Sequence, residues 1–229
     1  MTTALTAAAD SGIPDSGLMN AVNDFARATP WLHGLMYGYA TYGIALFAVL
    51  LVAGWWSARR AGDPAGVAAA IWAGVGTLAA VGINQPIVNA AHEARPYTTM
   101  PHLLVLADRS ADFSFPSDHA TMAGAVAAGL FVARRRLLGW IATVAAVAIA
   151  FARVYIAAHY PHDVAAGLLL GALVAVLGWL LLKRILTRLV WWLGRTPLWF
   201  VVTSAPRESW QTLANGAEQA AEPPHRQEH

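Results

Sequence analysis

Two stretches of this apolar chain hold residues equipped for phosphate chemistry. The first runs from Asn89, His92, Glu93, Arg95 and Pro96 to Phe115-Pro116-Ser117-Asp118-His119, and the second holds Arg153, His159, Pro161, His162 and Asp163. Arginine presents a planar fork of donors that matches phosphate oxygens. Pro116-Ser117-Asp118-His119 reads as a helix start, with Ser117 at the N-cap and Asp118 in the first turn. The free N–H groups and positive potential of such a terminus favour a bound phosphate. Pro161 suits the first turn of another helix. His159 then falls in the preceding turn, with Asp163 close enough to accept from one ring nitrogen. An imidazole oriented by a carboxylate beside arginines is equipped to attack phosphorus. A single pair such as Arg153 with Asp163 would serve equally well as a structural ion pair. Two arginines, several histidines and an aspartate at one depth favour a site.

The elements that must position these residues are membrane helices. Of 229 residues, 57% are hydrophobic and 12% charged, about half the charged share of an ordinary soluble domain. Lipid is therefore the solvent for much of the surface. A net charge of +2 gives no footprint for nucleic acid, and the absence of cysteine excludes disulfides, thiolate metal sites and a cysteine nucleophile. About five apolar runs are long enough to span a bilayer, near 33–56, 66–91, 118–133, 137–157 and 163–182. The expected fold is all-α, a polytopic membrane bundle of about five to six transmembrane helices. Residues 1–16 are expected to form a flexible leader, 17–202 the membrane domain, and 203–229 a disordered tail. Within the domain, Leu18, Val22, Phe25 and Ala26 at helical spacing suggest a surface helix over 17–29. Residues 185–202, with Arg188, Arg195 and Pro197 among tryptophans, read as an interfacial segment or a short sixth span. Gly124, Ala128, Gly167 and Gly171 suit close helix packing, and Asn84, Gln85 and Pro86 a kink or bonds to neighbouring helices.

Charge sets the direction. Cytoplasmic loops collect Lys and Arg. The clusters Arg59-Arg60, Arg134-Arg135-Arg136 and Lys183-Arg184 with Arg188 follow the first, third and fifth spans, all on one side. Residues 92–117 and 158–162, which carry the unusual chemistry, fall on the opposite, outer side.

At these residues the sequence resembles the type 2 phosphatidic acid phosphatase superfamily. The family's third motif, Ser-Arg, five residues, His, three residues, Asp, appears as Ala152-Arg153, His159 and Asp163 with its spacing intact. The second, Pro-Ser-Gly-His, appears as Pro116-Ser117-Asp118-His119. Of the first, Lys, six residues, Arg-Pro, Arg95-Pro96 remains, with Val88 at the lysine position. The resemblance implies that His159 attacks phosphorus to form a phosphohistidine, that Asp163 holds its ring, and that His119 protonates the leaving oxygen. It implies that Arg95, Arg153, Ser117 and Asp118 hold the phosphate, and that neither metal nor other cofactor is needed. Asn89 and His92 are candidate donors in place of the lysine, and Glu93 is a further candidate substrate contact.

Phe-Pro-Ser-Asp-His together with Ala-Arg-Val-Tyr and His-Tyr-Pro-His-Asp looks most like the bacitracin-resistance type of undecaprenyl-diphosphate phosphatase. That likeness implies a lipid diphosphate substrate in a bacterial plasma membrane, with the active site outside the cytoplasm. Phosphatidic acid, phosphatidylglycerol phosphate and polyprenyl-phosphoribose phosphate are the alternative substrates. A catalytically weak or inactive scaffold and a transporter are the rival classes. A zinc hydrolase is disfavoured, because no His-Glu-x-x-His pattern is present and paired arginines repel a cation. For the orientation, a cysteine introduced within 100–112 is expected to react with an impermeant reagent added to intact cells. Labelling only after lysis would invert the topology.

Overall fold

The computed structural model describes residues 15–204, so nearly all of the expected leader and tail lie outside the described residues. The described residues are helical with no strand: α1 Ser16–Ala28, a single 3-10 turn Pro30–Leu32, α2 His33–Tyr42, α3 Ile44–Arg60, α4 Pro64–Ala91, α5 Pro96–Thr99, α6 Asp118–Val132, α7 Arg136–Tyr155, α8 Pro161–Arg195 and α9 Trp199–Val202. Three segments are long and apolar enough to cross a membrane (Pro64–Thr99, Arg136–Tyr155 and Pro161–Arg195), and the pair Pro30–Tyr42 and Ile44–Arg60, bent by 52°, makes a fourth when taken as one span. Outward faces of these helices carry exposed Val75, Leu78, Val144, Val147, Leu169, Leu173 and Leu177. Such a surface is stable only against lipid.

The expected run 118–133 is α6, whose 15 residues rise only about 22 Å. It is short because it is the centre of the bundle, packed against α3, α4, α7 and α8. Glycines permit that approach. A Cβ at Gly124 would overlap the Leu168 carbonyl oxygen, and one at Gly171 the Thr121 carbonyl oxygen. Close backbone contact of this kind is how membrane helices associate where the hydrophobic effect is weak. Trp72 Nε1 adds a bond from α4 to the Ala175 carbonyl of α8, 2.8 Å.

One expected boundary moves. Residues 185–195 are not a separate interfacial element but the last turns of α8, which runs unbroken for 35 residues. Its arginine stems are long enough to carry their charge out of an apolar environment, so Arg188 does not end the helix. The buried face of α1 is Met19, Asn23 and Ala26, while Leu18 and Phe25 are exposed. Asn23 decides this orientation, because its amide donates to Leu104 O (2.8 Å) and accepts from Leu104 N (2.9 Å). The helix is thereby fixed to the long loop between α4 and α6.

At one end of the bundle Arg135 pairs with Asp63 at 3.2 Å, and Trp55 Nε1 donates to Val201 O at 3.1 Å. These contacts bring the α3–α4 and α6–α7 connections and the α9 segment to the same end. The α4–α6 loop and the α7–α8 connection meet at the opposite end, where Leu106 and Ala107 N–H groups both donate to Ile156 O. The α7–α8 connection reverses direction in five residues with Ala157 at φ 62°, a left-handed conformation that costs a non-glycine residue about 1 kcal/mol.

Candidate active site

A cavity of about 460 Å³ opens among the end of α4, the start of α6, the last turn of α7 and the α4–α6 loop. Arg95, Asp118, His119, Arg153 and His159 line it, with Val88, Asn89 and Gln85 on the α4 wall. Asp118 and Arg153, 35 positions apart in sequence, thus line one cavity because α6 starts, and α7 ends, at the same depth. Glycines 167 and 171 of α8 bring α6 into contact beneath the cavity.

His159 is buried, and its surroundings specify one tautomer. An arginine can only donate, so Arg95 Nη1, 3.3 Å from His159 Nε2, requires a lone pair there. The proton then sits on Nδ1, which donates toward Ser114 O at 2.9 Å and Asp163 Oδ2 at 3.3 Å. Burial pushes the imidazole pKa down to about 4, against the opposing pull of its hydrogen bond with Asp163. The ring is therefore neutral near pH 7, and its Nε2 lone pair accepts from Arg95 at the cavity wall.

Asp163 lies behind this ring and is fully buried. Its Oδ2 accepts from Tyr160 N at 2.8 Å and from Ser114 Oγ as well as from His159. Its backbone carbonyl accepts from Ser117 N at 3.1 Å, which fastens the start of α6 to the start of α8. Pro161 occupies the first position of α8, as its ring geometry favours.

Two arginines face the cavity. Arg95 is fixed by Asp112 O (2.9 Å) and Ala158 O (3.0 Å). Arg153 reaches Ala40 O at 3.5 Å, while its buried Nε makes no hydrogen bond within the protein. A buried, under-satisfied guanidinium is costly unless an anion meets it. The first intrahelical bond of α6 runs from Thr121 N to Ser117 O, so the N–H groups of Asp118 and His119 precede the helical ladder and face the cavity end. Together these groups form a receptor for an anion next to an imidazole lone pair.

Several expected contacts are placed differently. The Asp118 carboxylate accepts from Asn84 Nδ2 at 2.7 Å and from Gln85 Nε2 at 3.0 and 3.1 Å. Those amides hold the charge on the α4 side, so only its backbone is disposed toward phosphate. Ser117 occupies the N-cap position without a side-chain cap bond, its N–H is spent on Asp163, and its buried Oγ is unpartnered within the protein. His92 caps the end of α4 and lies against Phe113. Glu93 bonds His162 at 2.9 Å. Neither lines the cavity, whereas Asn89 does. Val88 lines it at the position where the motif has lysine. Ala152 instead packs with Ala26, Ala40 and Tyr155 away from it, where a methyl group is at home.

Sequence reasoning did not single out Ser114, whose role comes from a contact 49 residues distant. Gln85 and Asn84 were legible only as polar residues inside an apolar run, and their partner Asp118 was not.

Comparison with known proteins places this geometry in a family. The PAP2 superfamily model matches residues 69–186, which contain the cavity-lining residues. The bacitracin transport permease protein BcrC of Bacillus licheniformis is 31% identical over 155 residues, 68% of this chain and 74% of its own length. The undecaprenyl-diphosphatase BcrC of Bacillus subtilis is 28% identical over 166 residues, 70% of this chain and 80% of its own. A PAP2-type phosphatidylglycerolphosphate phosphatase from Bacillus subtilis shares the fold, with a TM-score of 0.53 and 22% identity, over 80% of this chain and 94% of that one. The chain belongs to the PAP2 superfamily and is a multi-helix membrane hydrolase acting on phosphate esters.

Proposed function

We propose that the protein removes the terminal phosphate of a polyprenyl diphosphate of the undecaprenyl type at the outer membrane face, through a phosphohistidine at His159. The observation that carries this reading is the His159 tautomer at the cavity wall, with an unprotonated Nε2 that accepts from Arg95 and Nδ1 held by Ser114 and Asp163. The undecaprenyl-diphosphatase relative supports the choice of lipid, and the arrangement of basic clusters supports the outer face.

In this mechanism Arg95, Arg153 and the first N–H groups of α6 bind the terminal phosphoryl oxygens. The Nε2 lone pair attacks phosphorus in line with the bridging oxygen. The P–O bond breaks, and His119 donates a proton to the leaving lipid monophosphate. An anionic diphosphate in the cavity favours the protonated form of His119. The His159 ring becomes cationic as the P–N bond forms, and Asp163 stabilises that charge through the Nδ1–H bond. Water then attacks phosphorus, His119 accepts its proton, the P–N bond breaks, and phosphate leaves with His159 restored. The arginines contribute most where charge spreads over the equatorial oxygens of the transition state.

Purified protein is expected to release phosphate from undecaprenyl diphosphate equally well with and without EDTA, and His159→Ala is expected to release none above background. Wild-type rates in that variant would refute the nucleophile. Ser114→Ala removes a hydrogen bond to a buried carboxylate, an interaction of about 1.5–3 kcal/mol. The expected result is a kcat lowered by about tenfold or more with little change in KM. A change confined to KM would assign Ser114 to substrate binding instead.

A further inference from the structure

Beside the cavity but outside it, His162 lies among three carboxylates. Its Nε2 is 2.9 Å from Glu93 Oε1 and 3.2 Å from Asp163 Oδ1, and its Nδ1 is 3.1 Å from Asp15 Oδ2. The ring stacks on Tyr160 with centroids 5.4 Å apart and planes 11° apart, and Phe115 lies at 5.8 Å. These contacts fix the imidazole plane, so the direction of its Nε2 is set.

Two features of this cluster point to a cation. Asp163 Oδ1 is fully buried and makes no hydrogen bond, despite its distance from Nε2, because the approach lies off the donor direction. One N–H cannot serve two carboxylates at once. The ligand atoms of Glu93, His162 and Asp163 all lie within 4.8 Å of one another. A tetrahedral zinc ion with bonds of about 2.0–2.1 Å places its ligand atoms about 3.3 Å apart, close to the 2.9 and 3.2 Å seen from Nε2. Asp15 on the other ring nitrogen supplies the carboxylate partner that metal-bound histidines commonly have.

We propose that Glu93, His162 and Asp163 form an inhibitory site for a divalent transition ion of the zinc class at the rim of the active site. The ion takes the place of the proton on Nε2, binds the free Oδ1 of Asp163, and leaves a fourth position to water. Asp163 Oδ2 remains on His159 Nδ1, but the metal withdraws charge from the carboxylate and weakens its support of the ring. Binding stands independently of the catalytic reading; the inhibition rests on the proposed role of His159.

The test is calorimetric titration of zinc alone into tag-free, full-length protein in detergent, with Glu93→Gln and His162→Gln in parallel. Thermal unfolding in zinc-free buffer establishes that each variant is folded, and either folded variant suffices. One saturable site is expected in the wild type, weakened by about tenfold or more in each variant. No saturable binding by the wild type would overturn the site. Equal binding by wild type and variants would also overturn it, and would assign the ion to other residues such as His225 and His229. Zinc at saturating concentration is further expected to slow phosphate release by the wild type and not by Glu93→Gln. Binding without that difference would overturn the inhibitory role. Failure of EDTA-resistant phosphate release in the wild type would refute the phosphatase reading and leave the binding result standing.

Discussion

A fully buried carboxylate with one oxygen committed to three donors organises this end of the protein. Asp163 Oδ2 receives Ser114 Oγ, Tyr160 N and His159 Nδ1–H, and its backbone carbonyl receives Ser117 N. A carboxylate removed from water is tolerated only when it is this well bonded. The same contacts join the α4–α6 loop, the start of α6 and the start of α8, so the charge and the packing depend on each other. Loss of the carboxylate would free the imidazole and loosen the seam between the two most intimately packed helices. The glycines of that seam are the steric side of the arrangement, because α6 must lie against α8 for Ser117 to reach Asp163.

The cavity reverses the usual electrostatic preference of a membrane protein. Arg95 and Arg153 sit at its wall with few anionic partners, and Asn84 and Gln85 draw the Asp118 carboxylate to one side. An amide pair is a suitable partner there, since it satisfies the carboxylate without adding charge to α4. The result is a site predisposed to an anion and to the neutral imidazole that the proposed mechanism needs. His159 meets the second condition because burial disfavours its cation. The substitution of Val88 for the motif lysine leaves the two arginines and the α6 terminus as the phosphate-binding elements proposed here.

How much of this was legible in the sequence depended on how local the information was. The helical class followed from runs of apolar residues, and the His159–Asp163 relation from a spacing of four residues across a helix start. Pro161 and Ser117 marked those starts, although Ser117 does not cap with its side chain. Contacts between distant segments were not legible. Ser114 acquires its meaning from residues 45 and 49 positions away, Glu93 from His162, and Asp118 from an amide pair on another helix. The helix over 17–29 was legible from its apolar spacing, but its attachment was not: Asn23 exchanges two hydrogen bonds with the Leu104 backbone, 81 positions away. Residues 185–195 read as an element separate from the fifth span, whereas they continue the same helix α8.

The central claim is a covalent bond between phosphorus and His159 Nε2. Rapid quenching of the protein with undecaprenyl diphosphate labelled in its terminal phosphate tests it most directly. The account predicts a protein-bound phosphoryl group that survives alkali, is lost in acid, maps to His159 and is absent from His159→Ala. Turnover with no trapped phosphoryl group on His159, or with the label on another residue, would contradict it.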